Sequence, residues 1–201
     1  MKALLSTTYF GPVQWYQKLC RCSECEIEQW ESFQKQTYRN RCLIATANGI
    51  QALTVPVEHG NSMLMKDIRI SDHGNWRHLH WNALQSAYGD SPFFEYYQDD
   101  IHPFLEQRWE YLLDFNEAIR QKMCELLDIQ PEVSYSEKFE LSAINPPKDF
   151  REAIRPKHPQ ADPDFVPKPY YQVYQQRHGF LPNLSVLDLL FNMGPESIFW
   201  L

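Results

Sequence analysis

No stretch of this 201-residue sequence is apolar for long enough to cross a membrane, and its opening residues offer only Ala3-Leu4-Leu5 before Ser6 and Thr7, too short for the apolar region of a signal peptide. A cytoplasmic location is the expectation that follows. Positive charge is also scarce, with 19 Lys and Arg against 26 Asp and Glu, a net charge of −7. Broad attraction to nucleic acid or to a membrane surface is therefore disfavoured, and any anion site has to be a local pocket in an acidic body. The sequence contains no Gly-rich phosphate loop and no Ser-centred elbow, so neither of these motifs specifies a reaction, and none indicates a cofactor. Cysteines number five, an odd count that predicts free thiols. Cys20, Cys22 and Cys25 form a C-x-C-x-x-C cluster, yet no second Cys or His pair follows at a usual ligand spacing, and no metal site is expected. No internal repeat is visible.

What is present begins with residues 34–41, Gln-Lys-Gln-Thr-Tyr-Arg-Asn-Arg, three cations, three amides and a phenol in eight positions. Residues 42–47 and 50–57 read as two strands around Asn48-Gly49, a pair suited to the positive φ angles of a type I′ turn. If the first strand starts at Tyr38, period 2 places Arg39 and Arg41 on one face and Tyr38 and Asn40 on the other. The two guanidiniums would then form a fork for phosphate or carboxylate, with Lys35 nearby. The alternative is a solvated polar edge.

An apolar content of 43% and this length predict one globular α/β domain. Its expected plan is a central mixed β-sheet with a β-hairpin, packed amphipathic helices, and a Pro-rich C-terminal segment that wraps the core. Residues 1–128 make the core, 129–182 the arm or lid, and 183–201 a docking helix. Residues 3–10 read as a strand and 13–20 as a helix; Thr7, Thr8 and Tyr9 at the carboxyl end of that strand line either a site or a plain turn. Residues 24–33 are strand or loop, and 67–71 read as an edge strand. A helix over 76–88 carries Trp76, His80, Ala83, Leu84 and Ala87 on one face. His80 in that stripe is either a core residue or an acid/base group, and His78 points away from it. Pro92 and Pro103 are placed to open a short helix and a long one reaching residue 127, whose buried stripe includes Asn116. Eight of the fourteen prolines fall in residues 146–182, where residues 148–168 are the expected mobile part. Ser185 caps a last helix, Asp188 faces its amino end, and Gly194 closes it.

Several segments together resemble the WbqC-like proteins, in the form common in Bacteroidetes. They are residues 4–18 (Leu-Leu-Ser-Thr-Thr-Tyr-Phe-Gly-Pro-Val-Gln-Trp-Tyr-Gln-Lys), Tyr38-Arg39-Asn40-Arg41, Asn48-Gly49, residues 53–57 (Leu-Thr-Val-Pro-Val), His80-Trp81, Ser86-Ala87-Tyr88, residues 91–97, Asp114-Phe115-Asn116 and residues 179–194. The resemblance implies a part in O-antigen and related surface-polysaccharide synthesis and a transferase reaction. Lys35, Asn40, Arg41, His80, Asn116 and Asp188 carry over. Where many members have a Gln-Pro pair before the tyrosine matching Tyr9, this chain has Ser6-Thr7-Thr8, so no role of that glutamine carries over. The expected function is acyl or aminoacyl transfer to a nucleotide-linked amino sugar, with Lys35, Arg39 and Arg41 on the diphosphate. Tyr9 and Tyr38 would stack on sugar or base, Asn40 and Asn116 would orient the substrate, and His80 would take the proton. The alternative is a non-enzymatic binding or assembly protein. A small-molecule partner is expected, and nucleic acid is not.

Overall fold

A computed structural model describes residues 1–58, 60–139 and 148–201. Strand β1 (Lys2–Ser6) buries Ala3, Leu4 and Leu5 in succession, the continuous apolar run of an interior strand covered on both faces. Helix α1 (Val13–Arg21) carries the chain back to β2 (Glu24–Glu28), which lies parallel to β1 with Leu4 opposite Glu26. Strand β5 (Val133–Tyr135) joins β2, and β6 (Lys148–Asp149) joins the other side of β1. The result is a four-stranded parallel sheet in the order β5-β2-β1-β6. β6 comes from the Pro-rich segment, which contributes a strand as well as a wrapping.

The hairpin of β3 (Arg41–Thr46) and β4 (Gly49–Thr54) forms a separate antiparallel sheet. Thr46 pairs with Gly49, so the turn residues are Ala47 and Asn48, one position earlier than expected. Only Gly49 has a positive φ, 105°, because the Thr46 hydroxyl accepts the Asn48 N–H and holds the turn away from the type I′ form. Ser185 donates its N–H to the Leu43 carbonyl and Val186 to that of Gly11, so the C-terminal segment ties the hairpin to the loop after β1.

Helices α2 (Trp76–Tyr88), α3 (Phe94–Ile101), α4 (Leu112–Leu126) and the short α5 (Gln175–His178) pack around this frame with α6 (Val186–Met193). The long helix expected from Pro103 is broken: Pro103 lies in a 3-10 turn, His102–Leu105, and α4 starts only at Leu112. The Ile70 N–H goes to the Glu110 carbonyl and the Leu112 N–H to that of Ile68, which keeps 110–112 extended. For the same reason residues 68–70 form isolated bridges to Val57 and Tyr111 instead of a sheet edge. α6 behaves as read: Ser185 accepts the Leu187 N–H, and Gly194, at φ 55°, ends the helix. The segment expected to be mobile is pinned at Phe150, Ala153 and Ile154 in the core and at Asp162, whose carboxylate lies 2.7 Å from buried Lys18; residues 140–147 lie outside the described residues.

Candidate functional site

Parallel strands deliver their carboxyl ends to one edge, where successive loops can converge on a ligand. Here β1 leads to Ser6 and Thr7, β2 to Glu28 and the loop through Glu31, and β6 to Asp149 and Arg151. A cleft of about 380 Å³ opens on this edge, lined by Trp30, Glu31, Ser32, Gln34, Phe139, Asp149, Arg151 and Glu152.

The floor is built from buried charge. Arg39 Nε donates to Glu31 Oε1 at 2.9 Å and Nη2 to Oε2 at 2.5 Å, and Ser6 Oγ adds a contact to Oε2 at 3.2 Å. Both partners are almost wholly buried, Arg39 at 3% exposure and Glu31 at 5%. Glu28, fully buried, accepts from the Trp30 N–H at 2.8 Å and Ser136 Oγ at 2.7 Å, with Arg151 3.7 Å from its other oxygen. Arg151 grips Asp149 with two nitrogens. Burial pushes the Asp149 carboxyl up, but the Arg151 guanidinium outweighs it and holds the pKa below the usual carboxylate range. Trp30 is fixed by its indole N–H on the Ser136 carbonyl, 3.0 Å, and Lys66 lies over its ring. The cleft thus offers an aromatic wall and more carboxylates than cations.

The residues singled out in the sequence divide between this edge and the core. Residues 35–40 form turns, with Gln36 left-handed at φ 61° and the Thr37 hydroxyl on the Gln34 carbonyl, and strand β3 begins only at Arg41. Arg39 and Arg41 therefore do not share a strand face: Arg39 turns in to Glu31, while Arg41 is half-buried, its Nε without a hydrogen-bond partner among the described residues. Tyr38 and Arg39 line a small space beside the cleft with Thr8, whose buried hydroxyl has no partner there. Lys35 is exposed next to Gln34 of the cleft wall.

Tyr9, Asn40, His80 and Asn116 lie inside. Asn40 Nδ2 donates to the Val55 carbonyl and Asn116 Nδ2 to that of Arg39, both at 2.8 Å, which locks the 38–40 turn to the hairpin and to α4. His80 packs on Trp76 and bonds the Tyr9 hydroxyl through Nδ1 at 2.9 Å. Its ring also bonds the Thr54 backbone, which leaves Nδ1 to accept from Tyr9. Burial lowers its pKa from 6.5 to about 4, so the imidazole is neutral. Asp188 sits in the first turn of α6 as read, and is also a buried hub that accepts from Tyr88, Tyr170 and Gln172.

Sequence reasoning missed Trp30, Glu31, Asp149 and Arg151. A signal existed for two: a Glu-rich strand alternating Glu24, Glu26 and Glu28 ends directly before Trp30 and Glu31. Asp149 and Arg151 lie in the Pro-rich segment, whose return to the sheet has no local signature. Among the described residues no three His, Cys, Asp or Glu side chains are grouped to hold a metal; Cys22 and Cys25 are buried and Cys20 exposed. No helix among them is long and apolar enough to cross a membrane.

A single α/β domain, with a parallel sheet beside an antiparallel hairpin and a charged cleft at the strand ends, is the class of protein that fold and site define. The chain belongs to the WbqC-like protein family, which matches residues 7–148 and 151–199. It is also 27% identical over 223 residues to "Uncharacterized protein Rv1507c" of Mycobacterium tuberculosis (strain ATCC 25618 / H37Rv), with 97% of this chain and 94% of that protein covered. No solved structure matches.

Proposed function

We propose that this protein is a transferase acting on a nucleotide-linked amino sugar in O-antigen or related surface-polysaccharide biosynthesis, with the sugar in the cleft at the carboxyl edge of the sheet. The observation that carries the reading is the union of Trp30 with Glu31, Asp149 and Glu152 in one opening of about 380 Å³. An indole face suits a sugar ring, and an excess of carboxylates suits its hydroxyls and amine. The diphosphate belongs at the rim, where exposed Lys35 adjoins Gln34, Lys157 bonds Gln36 at 2.7 Å and Arg155 pairs with Glu152. Arg39 is neutralised by Glu31 and serves the floor.

Acyl or aminoacyl transfer to an amine needs a group to take the amine proton, within hydrogen-bond reach of it. Glu152 is the cleft carboxylate best placed: it is 43% exposed and its carboxylate is paired with Arg155 alone among the described residues, whereas Glu31 and Asp149 are each gripped by an arginine through two nitrogens. His80, enclosed by Trp76 and Tyr9, does not reach this cleft.

A second reading, a non-enzymatic binding or assembly protein, is favoured by the structural use of Arg39, Asn40 and Asn116, which lock the 38–40 turn. Thermal unfolding against a panel of nucleotide sugars and acyl-coenzyme A compounds separates the two. A ligand at a hundred times its Kd stabilises the native state by about 2.7 kcal/mol. The transferase reading expects a shift with a nucleotide amino sugar that Trp30→Ala abolishes, and loss of turnover with retained binding in Glu152→Gln. No shift with any compound transfers support to the assembly reading.

A further inference from the structure

We propose that a second cleft, between the amino end of α2 and the His102–Leu105 turn, binds a phosphate group of a small molecule. The cleft holds about 370 Å³ and is lined by Arg77, Arg108, His78, His102, Trp81 and Asp72, among others. Its charge is arranged unevenly. One carboxylate, Asp72, faces two guanidiniums: Arg77 Nη1 at 2.7 Å and Arg108 Nη1 at 3.5 Å. At this corner one negative charge lies between two positive ones, in a molecule whose net charge is −7; the lining as a whole sets two guanidiniums against two carboxylates. Glu106, the other carboxylate of the lining, is 62% exposed and directed at His102, 3.8 Å away.

The two arginines play different parts. Arg77 is preset: Nε donates to the Gln107 carbonyl, the guanidinium lies over the Trp76 ring at 4.5 Å, and Nη2 has no partner among the described residues. Arg108 is 82% exposed, tethered among the described residues only by the long contact to Asp72, and so can close on an oxyanion. Trp81 stacks on His102 with ring centroids 4.2 Å apart, a rigid wall for the body of the ligand. The Asn75 side chain does not cap α2, and the first turn has no acidic residue, so the backbone amides there add donors to those of the arginines. This site is separate from the sheet-edge cleft and stands whether or not a sugar binds there.

The test is titration with pyrophosphate, followed by the imidazole resonances of His78 and His102, which report on this cleft and not on the basic rim near Lys35. Malonate serves as the carboxylate counterpart, with ionic strength held constant. The expected result is a saturable shift of both histidines with pyrophosphate, a much smaller response to malonate, and affinity reduced about tenfold by Arg108→Ala. Because Arg108 is exposed, that variant keeps the fold; Arg77→Lys, which keeps the charge but loses the fork, gives a second loss of affinity. Histidine signals that do not move, a binding curve unchanged in both variants, or an equal response to malonate would each overturn the proposal.

Discussion

At the scale of the residue, the chemistry of a side chain is decided by what burial leaves it to touch. Arg39 in the sequence is a free cation beside Arg41; in the fold it is the partner of Glu31, and removing it strands a carboxylate. Arg39→Met is expected to cost about 3–5 kcal/mol in denaturant unfolding. Adding Glu31→Gln should recover part of that loss, and a single variant as stable as wild type would contradict the pairing. His80 makes a prediction of the opposite kind. Its folded pKa, about 4, lies below the ordinary 6.5, so the unfolded chain binds the proton first. Its contribution is present above pH 6.5 and is lost as pH falls toward 4, about 3 kcal/mol in all. Unfolding free energies at pH 7 and pH 4 for wild type and His80→Gln should show the wild type losing the larger amount by that margin. Equal losses would mean that His80 is not neutral in the fold.

At the scale of the element, α1 shows how a helix with polar positions all round can be buried over most of its length, from Val13 to Leu19. Gln14, Gln17 and Lys18 are covered along with Trp15 and Leu19, because the Pro-rich segment lays Asp162 against Lys18. Burial raises the Asp162 carboxyl pKa, but the bonds from Lys18 and Gln14 overcome it and bring it below the ordinary value. This pair is the latch of the segment. Lys18→Met should expose residues 151–169 to limited proteolysis and lower the melting temperature, while Arg21→Ala, further along α1, should not. Unchanged cleavage kinetics would show that the core contacts of Phe150 and Ile154 suffice. Elements whose pattern is local were legible: α1, α2 and α6 follow from apolar spacing and, for α6, from Ser185 and Gly194. The break between Pro103 and Leu112 was not, because the apolar spacing runs through it and only the pairing of 68–70 with 110–112 keeps the backbone extended. β6 is two residues long, and nothing in Lys148-Asp149 signals a partner as distant as β1.

At the scale of the whole molecule, Asp188 joins parts that the sequence holds far apart: Tyr88 at the end of α2, Tyr170 and Gln172 in the arm, and α6 itself. Burial raises its pKa against the pull of these three donors. Replacing it with leucine strands all three and is expected to cost about 3 kcal/mol or more, with Tyr88→Phe costing about 1. Combining Asp188→Leu with Tyr170→Phe should cost less than the two separately, since the same bond is broken twice; additive losses would dissolve the hub. The sequence by itself determined the α/β class, the hairpin, the faces of the amphipathic helices and the family, because these depend on neighbours a few residues apart or on motifs read in order. Only the tertiary structure decided where the candidate site lies and which charges are available to it. The cleft is assembled from Trp30, Glu31 and Gln34 after β2, and from Asp149 at the end of β6 with Arg151 and Glu152 beyond it. Whether a guanidinium serves a ligand or a buried carboxylate is settled by a partner in space, which residue type and spacing along the chain do not encode.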